Sequence, residues 1–367
     1  MGAVGQAQRW TDNPHPNPSP KGEGLLGSPN MATVPPPLRN TANPAPPRTA
    51  NSVRRTMSID VSWPQGETGN RLFVGRCRDF HTPAGGGSGT TLDEAEYQAS
   101  LDGDKTITSI TATPAPPKID SLVGVRGGNH LRLFIKETMP ELISEGAPIY
   151  LPLDDISGTA LVSTMSWAHW HDIDWAERMR NTFKPEEIQK LMADRVNVCW
   201  GLAEGNSGVT GEGGRSGVGQ AEAGDVRNPA DPEGWHELYE HQGPGFRRAR
   251  RIEVQRDDEA GLIRIDAAFQ DSVKRKSGGR GAIHEYNLKA TADLATGKLL
   301  SLEPEARILP FGECPGAIHN TQRLLGRTLA EIREAVLEQL RGPQGCTHLN
   351  DALRALADVP KLARYLA

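Results

Sequence analysis

Six residues near the C-terminus combine a thiol, an imidazole, an amide and a carboxylate: Cys346-Thr-His-Leu-Asn-Asp351. They directly follow a segment rich in glycine and proline, so the pattern predicts that a helix begins within them. Free backbone N–H groups at such a helix start favour an anion, and we therefore expect a lowered pKa for Cys346. The segment predicts nucleophilic or acid–base chemistry by Cys346, His348 and Asp351.

The spacing within this segment restricts which groups can meet. Side chains that face each other on a helix are three or four residues apart, so Cys346 can pair with His348 only if it precedes the helix. His284 is an equally good partner for the thiol. A structural interpretation stays open, in which Thr347 is the N-cap residue and Cys346 is a small buried side chain.

Two further segments carry groups of the same kinds. Glu313-Cys314-Pro315 places a carboxylate and a thiol before a predicted helix, so Glu313 either acts as an acid or base or complements the helix dipole. In His284-Glu285-Tyr286, the first and third side chains share one face of a predicted strand. We therefore add His284 and Glu313 to the catalytic candidates and Tyr286 to the substrate-binding candidates.

A zinc site built from these segments is an alternative, because zinc accepts imidazole, thiolate and carboxylate ligands. Its ligands would be His284, Glu313, Cys314, Cys346 and His348. They lack the short spacings of known zinc motifs, so the sequence assigns no metal ligand and leaves the cofactor open.

An aromatic segment, Trp167-Ala-His-Trp-His-Asp172, adds two more imidazoles. His169 and His171 alternate, which predicts one face of a strand and a spacing that suits a metal ion. The alternative is an aromatic wall, with Trp167, that closes a core or a pocket. We expect Trp167, His169 and His171 to line a substrate pocket.

The segment Arg247-Arg248-Ala-Arg250-Arg251 concentrates positive charge. Arg250 is a candidate to bind a phosphate group, such as that of a coenzyme A tail, or these arginines pair with acidic residues on neighbouring strands. The sequence contains no Gly-rich phosphate loop, nucleophile elbow or dinucleotide fingerprint, which argues against nucleotide-dependent chemistry.

Two stretches of alternating polar and apolar residues must position these groups. Met57, Ile59 and Val61 share one face of the first predicted strand, and Ile252 and Val254 mark the first strand of the second stretch. The other predicted strands are 71–80, 92–101, 105–113, 262–269, 283–292 and 298–308; the predicted helices are 129–138, 185–195, 315–325, 328–340 and one from about 347, with 148–153 extended.

The two stretches resemble copies of one unit, because matching residues recur at a nearly constant spacing. Arg55 matches Arg248, Asp79 matches Asp271, Glu96-Tyr97 matches Glu285-Tyr286, and Ala95 stands where the second copy has His284. We predict an α+β fold of two pseudo-repeated antiparallel sheet-plus-helix units packed into one body, with their apolar faces or helices against one another and a ligand between them.

The predicted organisation has four parts. These are a disordered Pro-rich tail (1–52), a first repeat (53–165), a Trp/His-rich insert with a Gly-rich linker (166–245), and a second repeat (246–367) that carries the C-terminal motif. The tail resembles translated intergenic sequence, so Met31 or Met57 is the expected natural start.

Composition excludes several classes of partner. The net charge of -5 gives no reason to expect nucleic acid or an anionic membrane. No apolar run approaches the roughly 20 residues that span a bilayer. Four cysteines without a C-x-x-C pair indicate a reducing, cytoplasmic location.

Three of these segments carry a resemblance to a known family. The chain resembles a bacterial domain-of-unknown-function family whose members share an H-E-Y strand, an L-P-x-x-E-C-P segment and a terminal C-T-H-L-N-D, here at 284–286, 309–315 and 346–351. The resemblance covers roughly residues 55–360. It implies a soluble bacterial protein and no particular reaction.

The expected function is that of a bacterial catabolic enzyme. It would act on a small carbonyl-containing compound, aromatic or acyl, by cofactor-independent acid–base or nucleophilic chemistry, as a hydrolase or a carbon–carbon lyase. The alternatives are a non-catalytic ligand-binding or assembly protein and a metal-dependent enzyme with His, Cys and Glu ligands. The expected partner is a small molecule, with a homodimer left open.

Overall fold

The chain forms one antiparallel sheet of eight strands, in the order β4-β3-β2-β1-β5-β6-β7-β8. This computed structural model describes residues 45–173, 175–210 and 221–367, which belong to one compact unit. The predicted tail, except for 45–52, and residues 211–220 of the predicted linker lie outside the described residues. The strands are β1 (Ser52–Ser62), β2 (Arg71–Thr82), β3 (Thr90–Leu101), β4 (Ile107–Thr113), β5 (Gly245–Asp257), β6 (Leu262–Lys274), β7 (Arg280–Asp293) and β8 (Leu299–Ile308).

Each set of four consecutive strands forms a meander, and the two meanders join where β1 pairs with β5. This antiparallel pairing runs from Ser52 opposite Gln255 to Ser62 opposite Gly245. It pairs backbone groups that would otherwise form two open sheet edges.

The α+β class is as predicted, but the two halves meet edge to edge in one sheet, so the alternative in which their sheet faces pack against one another is wrong. The other alternative, helices of one half against helices of the other, agrees with the hydrogen bonds from Arg132 to Asp351 and from Arg354 to Asp154.

Helices cover one face of this sheet. The α-helices of the described residues are α1 (Asn129–Thr138), α2 (Pro140–Ser144), α3 (Tyr150–Val162), α4 (Ser166–Trp170), α5 (Trp175–Thr182), α6 (Pro185–Ala193), α7 (Ser207–Thr210), α8 (Ile332–Gln339), α9 (Thr347–Arg354) and α10 (Val359–Arg364). The 3₁₀ helices are Ile119–Leu122, Ser163–Met165, Trp200–Leu202, Pro232–Gly234, Cys314–Leu324, Gly342–Gln344 and Ala355–Asp358. Helix α3 lies against β1 and β2, α10 against β1 and β5, and α9 against β6 and β7.

The alternation in β1 explains how the sheet separates two environments. Met57, Ile59 and Val61 belong to the core beneath the helices. The intervening Ser58 and Asp60 face the other side, where Ser58 contacts His236 and Asp60 accepts a hydrogen bond from Arg247. Successive strand residues point to opposite faces, so this part of the second face is covered by the segment that carries His236.

Residues 148–153 are not extended, contrary to the prediction, because α3 begins at Tyr150. Pro152 lies in the first turn of this helix. The N–H that proline lacks would have no partner within the helix there, so proline is tolerated. The helix is buried along most of its length, which removes the amphipathic period that identifies a helix from sequence.

The strand predicted for His169 and His171 is also wrong. Helix α4 contains His169, and His171 is the residue that follows its end. Two histidines in three residues are too short a pattern to distinguish a strand from a helix. Their alternation therefore does not place both rings on one strand face.

Within the described residues, no helix combines the length and apolar character needed to cross a lipid bilayer. This agrees with the absence of a spanning segment from the sequence. The predicted division into four parts stays a prediction.

Candidate active site

A carboxylate and two imidazoles meet beneath the start of α9. Asp271 of β6 lies directly opposite His284 of β7, and the pairing of the two strands shifts register between Asp271 and Ser272. His348 lies in the first turn of α9, which packs on these two strands. The pairing of β6 with β7 therefore brings two of the three groups together, and helix α9 supplies the third.

Arg248 fixes the Asp271 carboxylate from β5. Its Nε donates to Asp271 Oδ1 at 2.8 Å and its Nη2 donates to Oδ2 at 2.9 Å. Both side chains are fully buried. Burial opposes ionisation of Asp271, but the charge and hydrogen bonds of Arg248 outweigh it, so the pKa of Asp271 lies below its usual range. Asp271 is thus an oriented carboxylate at neutral pH.

His284 is held by this carboxylate. Its Nδ1 lies 3.2 Å from Asp271 Oδ2. An ionised carboxylate only accepts hydrogen bonds, so Nδ1 carries the proton and Nε2 carries the lone pair. Burial lowers the pKa of His284, although Asp271 opposes this shift. The ring is therefore neutral near pH 7 and presents a basic nitrogen.

His348 stacks on His284, with ring centroids 3.4 Å apart and planes at 19°. Its Nε2 lies 4.0 Å from Asp271 Oδ2, beyond hydrogen-bond distance, and its side chain is 18% exposed, against 6% for His284. Burial and the neighbouring His284 lower the pKa of His348. His348 is thus the member of the pair nearer to solvent, and the pair is neutral.

Asp351, a predicted catalytic residue, belongs instead to the ion pairs behind this cluster. Its carboxylate accepts hydrogen bonds from Arg132 at 2.8 Å and Arg354 at 3.0 Å. Burial opposes ionisation, but Arg132 and the other arginines lower the pKa of Asp351 below its usual range. It is a permanent charge here and no proton carrier.

Arg250, predicted to bind a ligand phosphate, is buried against α3 and α9. Its Nε lies 2.6 Å from Asp155 Oδ2, and its Nη1 donates to the backbone oxygen of Asp351. Burial raises the pKa of Asp155 to about 6, although Arg250 and Arg248 oppose this. Of the two possibilities predicted for Arg250, the structure shows the pairing with acidic residues.

Cys346 is the N-cap residue of α9, so Thr347 is not. Its thiol is buried and lies against the Tyr286 side chain. Burial raises the pKa of Cys346, although Tyr286 and the backbone N–H groups of Leu349 and His348 pull it down. The expected lowering by the helix start is therefore wrong, because desolvation outweighs it.

Tyr286, a predicted substrate contact, is fully buried. Its surroundings include three thiols, those of Cys346, Cys314 and Cys199, and burial raises its pKa well above the usual range. Cys314 packs against Gly201 with no room for a side chain there. These groups form a packed neighbourhood beside the histidine pair.

Glu313, a predicted catalytic residue, is hydrogen-bonded to the first residue of α7. Its carboxylate accepts hydrogen bonds from the backbone N–H of Ser207 at 3.0 Å and from the Ser207 hydroxyl at 2.8 Å. Burial opposes ionisation, but these two bonds lower its pKa. Glu313 is thus a partly exposed, ionised partner of a helix start.

The aromatic segment lies beside the strand that carries Asp271, because α4 contacts β6. Trp167 stacks on His171 with centroids 5.7 Å apart and meets Trp63 edge-on at 6.0 Å. The Nε1 of Trp167 is buried and has no hydrogen-bond acceptor among the described residues. His169 lies on the same short helix.

The sequence interpretation found His284 and His348 but missed Asp271 and Arg248 as members of the site. A signal was present: Arg55 and Asp79 recur as Arg248 and Asp271 at almost the same spacing. Its meaning depends on strand pairing, which brings Asp271 to His284, and pairing is not readable from one strand alone.

The cluster also has the composition of a metal site. Asp271, His284 and His348 each offer a ligand atom, and these atoms lie within 4.8 Å of one another. Asp271 was not among the ligands considered from sequence, and Glu313, Cys314 and Cys346 are not part of this group. The rings are close to parallel, so one would have to rotate before both nitrogen lone pairs could point at one ion.

Fold and site together define an α+β protein with a buried Asp–His–His cluster under a helix start. A family model described as Protein of unknown function (DUF2889) matches residues 246–361. The match runs from β5 into α10 and includes the whole cluster, and it confirms the resemblance to a domain-of-unknown-function family. No curated protein and no solved structure matches the chain.

Proposed function

We propose that this protein is a cofactor-independent acid–base enzyme, a hydrolase or carbon–carbon lyase that acts on a small carbonyl-containing compound. The observation that carries the proposal is the orientation of His284 by an arginine-held carboxylate, with His348 stacked against it. An oriented neutral imidazole is the commonest general base in enzymes.

The pair binds one proton at a time. The first proton is stabilised by the Asp271 carboxylate, and a second is disfavoured because the two rings are in contact. The pair would take a proton from an attacking water or from the substrate and return it to the departing oxygen, nitrogen or carbon. No net proton is gained or lost over the cycle.

His348 is the member that would reach the substrate, because it is the more exposed ring. His284 and Asp271 would position it and share its charge. Trp167 supports an aromatic or acyl substrate, since α4 lies beside β6 and the buried indole N–H lacks an acceptor among the described residues. A bound carbonyl oxygen would provide that acceptor.

A metal-dependent enzyme is the second candidate, favoured by the 4.8 Å grouping of three ligand atoms. Charge argues against it. The arginines of the surrounding ion pairs are Arg248, Arg250 and Arg354, which are buried, and Arg132, which is partly exposed; the aspartates are Asp154, Asp155, Asp271 and Asp351, all buried. They cancel, so the site offers a divalent cation no net negative charge.

The test is a substrate panel of esters, thioesters, amides and β-diketones, assayed with wild-type protein, His348→Ala and His284→Gln. We expect turnover of one class that both variants lose and that a chelator leaves unchanged. The exposed His130→Ala is the matched control. If a chelator abolishes turnover and metal analysis finds about one metal ion per chain, the protein is a metal-dependent enzyme and this proposal is wrong.

The finer features of the fold support an internal duplication, which we also propose. Arg55 binds Asp79 as Arg248 binds Asp271, and the pairings β2–β3 and β6–β7 each shift register immediately after the aspartate. Superposing β1–β4 on β5–β8 in an experimental structure tests this, and strands that follow different paths would contradict it.

A cytoplasmic location is proposed as well, supported by four cysteines that are all free. Light scattering would decide whether the chain forms the homodimer left open by the sequence.

A further inference from the structure

The two end strands of the sheet, β4 and β8, differ in how their outer edges are protected. Each pairs with one neighbouring strand, β3 or β7, so about half of its backbone N–H and C=O groups point away from the sheet. Such an edge can pair with a strand of another chain, and natural proteins prevent this with charged side chains or proline. Comparing β4 with β8 therefore identifies the edge that is free to pair.

The edge of β8 is protected. The strand contains Glu303, Pro304 and Glu305. Proline has no N–H to offer to a further strand and is found in sheets mainly at edges. The side-chain amide of Gln322 donates to the backbone oxygen of Leu302 at 3.2 Å, so this backbone group already has a partner. If two copies of β8 paired about Pro304, Glu303 would lie opposite Glu305, which is unfavourable.

The edge of β4 has none of these protections. Its sequence, Ile-Thr-Ser-Ile-Thr-Ala-Thr, contains neither charge nor proline. Its first residue is covered, because Ile107 N–H donates to the Val125 backbone oxygen at 3.0 Å and Gly124 N–H donates to the Ile107 oxygen at 2.8 Å. Among the described residues, 108–113 make no backbone–backbone hydrogen bond outside the pairing with β3. This part of the edge is open.

β4 and β8 occupy corresponding places in the two halves of the sheet, so the comparison is a matched one. Ala112 lies opposite Tyr97 of β3, and Pro304 lies opposite Leu288 of β7. Tyr97 and Leu288 stand at equal distances along their strands from the residues opposite the two arginine-held aspartates. Proline thus stands in β8 at the position where β4 has alanine.

The composition of β4 favours a second copy of this chain as the partner. A two-fold axis normal to the sheet places two identical strands antiparallel. Centred on Thr111, this pairing sets Ile110 opposite Ala112. It also sets Ser109 opposite Thr113, a hydroxyl pair that stabilises antiparallel strands, and it opposes no like charges. Pairing of β4 with β8 of another copy would not close, and the proline and glutamates of β8 disfavour it.

We propose that this protein is a homodimer in which the β4 edges of two copies pair antiparallel and join their sheets into one. Residues 108–113 of each copy form the pairing. The interface is the same surface on both copies, so it closes at two. It lies at the far edge of the first half, whereas the histidine pair belongs to β7 and α9, so the dimer does not depend on the proposed chemistry.

Light scattering on the full chain should give twice the mass of one chain. Ala112→Pro gives β4 the proline that β8 has, and Thr111→Lys places two ammonium groups at the two-fold axis. For each we expect a dimer dissociation constant at least about tenfold larger, and Thr111→Lys decides if the proline variant does not fold. Leu300→Lys, at an exposed residue of β8, is the matched control and should stay dimeric. Melting curves verify that the variants fold.

A wild-type chain that stays monomeric up to millimolar concentration would overturn the proposal. Protection of the 108–113 amides from hydrogen exchange in such a monomer would show that the chain's own residues cover this edge. A dimer that both β4 variants retain would place the interface on another surface and overturn the proposal as well. Loss of the dimer in Leu300→Lys alone would move the interface to β8.

Discussion

Arg55 with Asp79 and Arg248 with Asp271 form the same ion pair in the two halves of the sheet. In the first, Arg55 Nε and Nη2 lie 2.6 and 2.7 Å from the carboxylate oxygens, and in the second the distances are 2.8 and 2.9 Å. All four side chains are buried. The scaffold around each aspartate is thus the same, and any difference in chemistry must come from what joins it.

What joins each aspartate differs completely. Asp79 lies opposite Asp93, and Lys361 of α10 is 3.6 Å from Asp79 and 2.8 Å from Asp93. Asp271 lies opposite His284, with His348 of α9 above. A second carboxylate and an ammonium group join the first aspartate, whereas two imidazoles join the second.

This register also corrects the sequence alignment. If Asp79 corresponds to Asp271, the counterpart of His284 is Asp93, which lies opposite Asp79, and not Ala95. The match of Tyr97 with Tyr286 fails by the same two residues, since Tyr97 lies opposite Gly75 and Tyr286 opposite Phe269.

Removing the arginine should have the largest effect, and a similar one in both halves. Arg248→Met and Arg55→Met each leave a fully buried aspartate without its main partner, so we expect a loss of about 3–5 kcal/mol in the free energy of unfolding. Urea denaturation measures it. Arg256→Met, at a solvent-exposed pair with Asp258, should change it by less than about 1 kcal/mol. A loss confined to one half would mean that the two pairs are not equivalent.

Replacing the helix residue that lies above each aspartate should affect catalysis in one half of the sheet and not in the other. His348→Ala is expected to lower kcat/KM by about 10²–10⁴-fold, the usual contribution of general acid–base catalysis, with the fold retained. Lys361→Ala should leave kcat/KM unchanged, since it only closes an ion pair. The assay uses the substrate class found in the panel described above. Equal turnover by wild type and His348→Ala would remove His348 from the mechanism.

The strands and their burial follow from alternation, so most of the sheet could be predicted from the sequence. Helix α3 could not, because it is buried along most of its length and has no clear amphipathic period. His284 and His348 could be proposed from their types. Asp271 could not be placed beside them, because it lies 13 residues from His284 in sequence and meets it only through the strand register.

The two histidines should make stability fall as pH is lowered. Burial lowers their pKa values in the folded protein, so below the unfolded value of about 6.5 the unfolded chain binds more protons. The stability they contribute is present above about pH 6.5 and is lost as pH falls towards the folded pKa. The free energy of unfolding, measured between pH 7.5 and 5, should therefore fall more steeply with decreasing pH for wild type than for His348→Gln. If the free energy of unfolding has the same pH dependence in both proteins, His348 is not buried as a neutral ring.

Cys346→Ala should have the smallest effect. It distinguishes a catalytic role of Cys346, as a nucleophile, from a structural role as a buried residue at the start of α9. The thiol is neutral, because desolvation raises its pKa more than the start of α9 lowers it. We expect turnover within about twofold of wild type and a loss of about 1 kcal/mol in unfolding free energy, the typical cost of a point substitution, because a small buried side chain is shortened. A drop in kcat/KM as large as that of His348→Ala, at unchanged stability, would restore Cys346 as the nucleophile. The chemistry would then depend on the helix start, and the contrast between the two aspartate sites would no longer explain it.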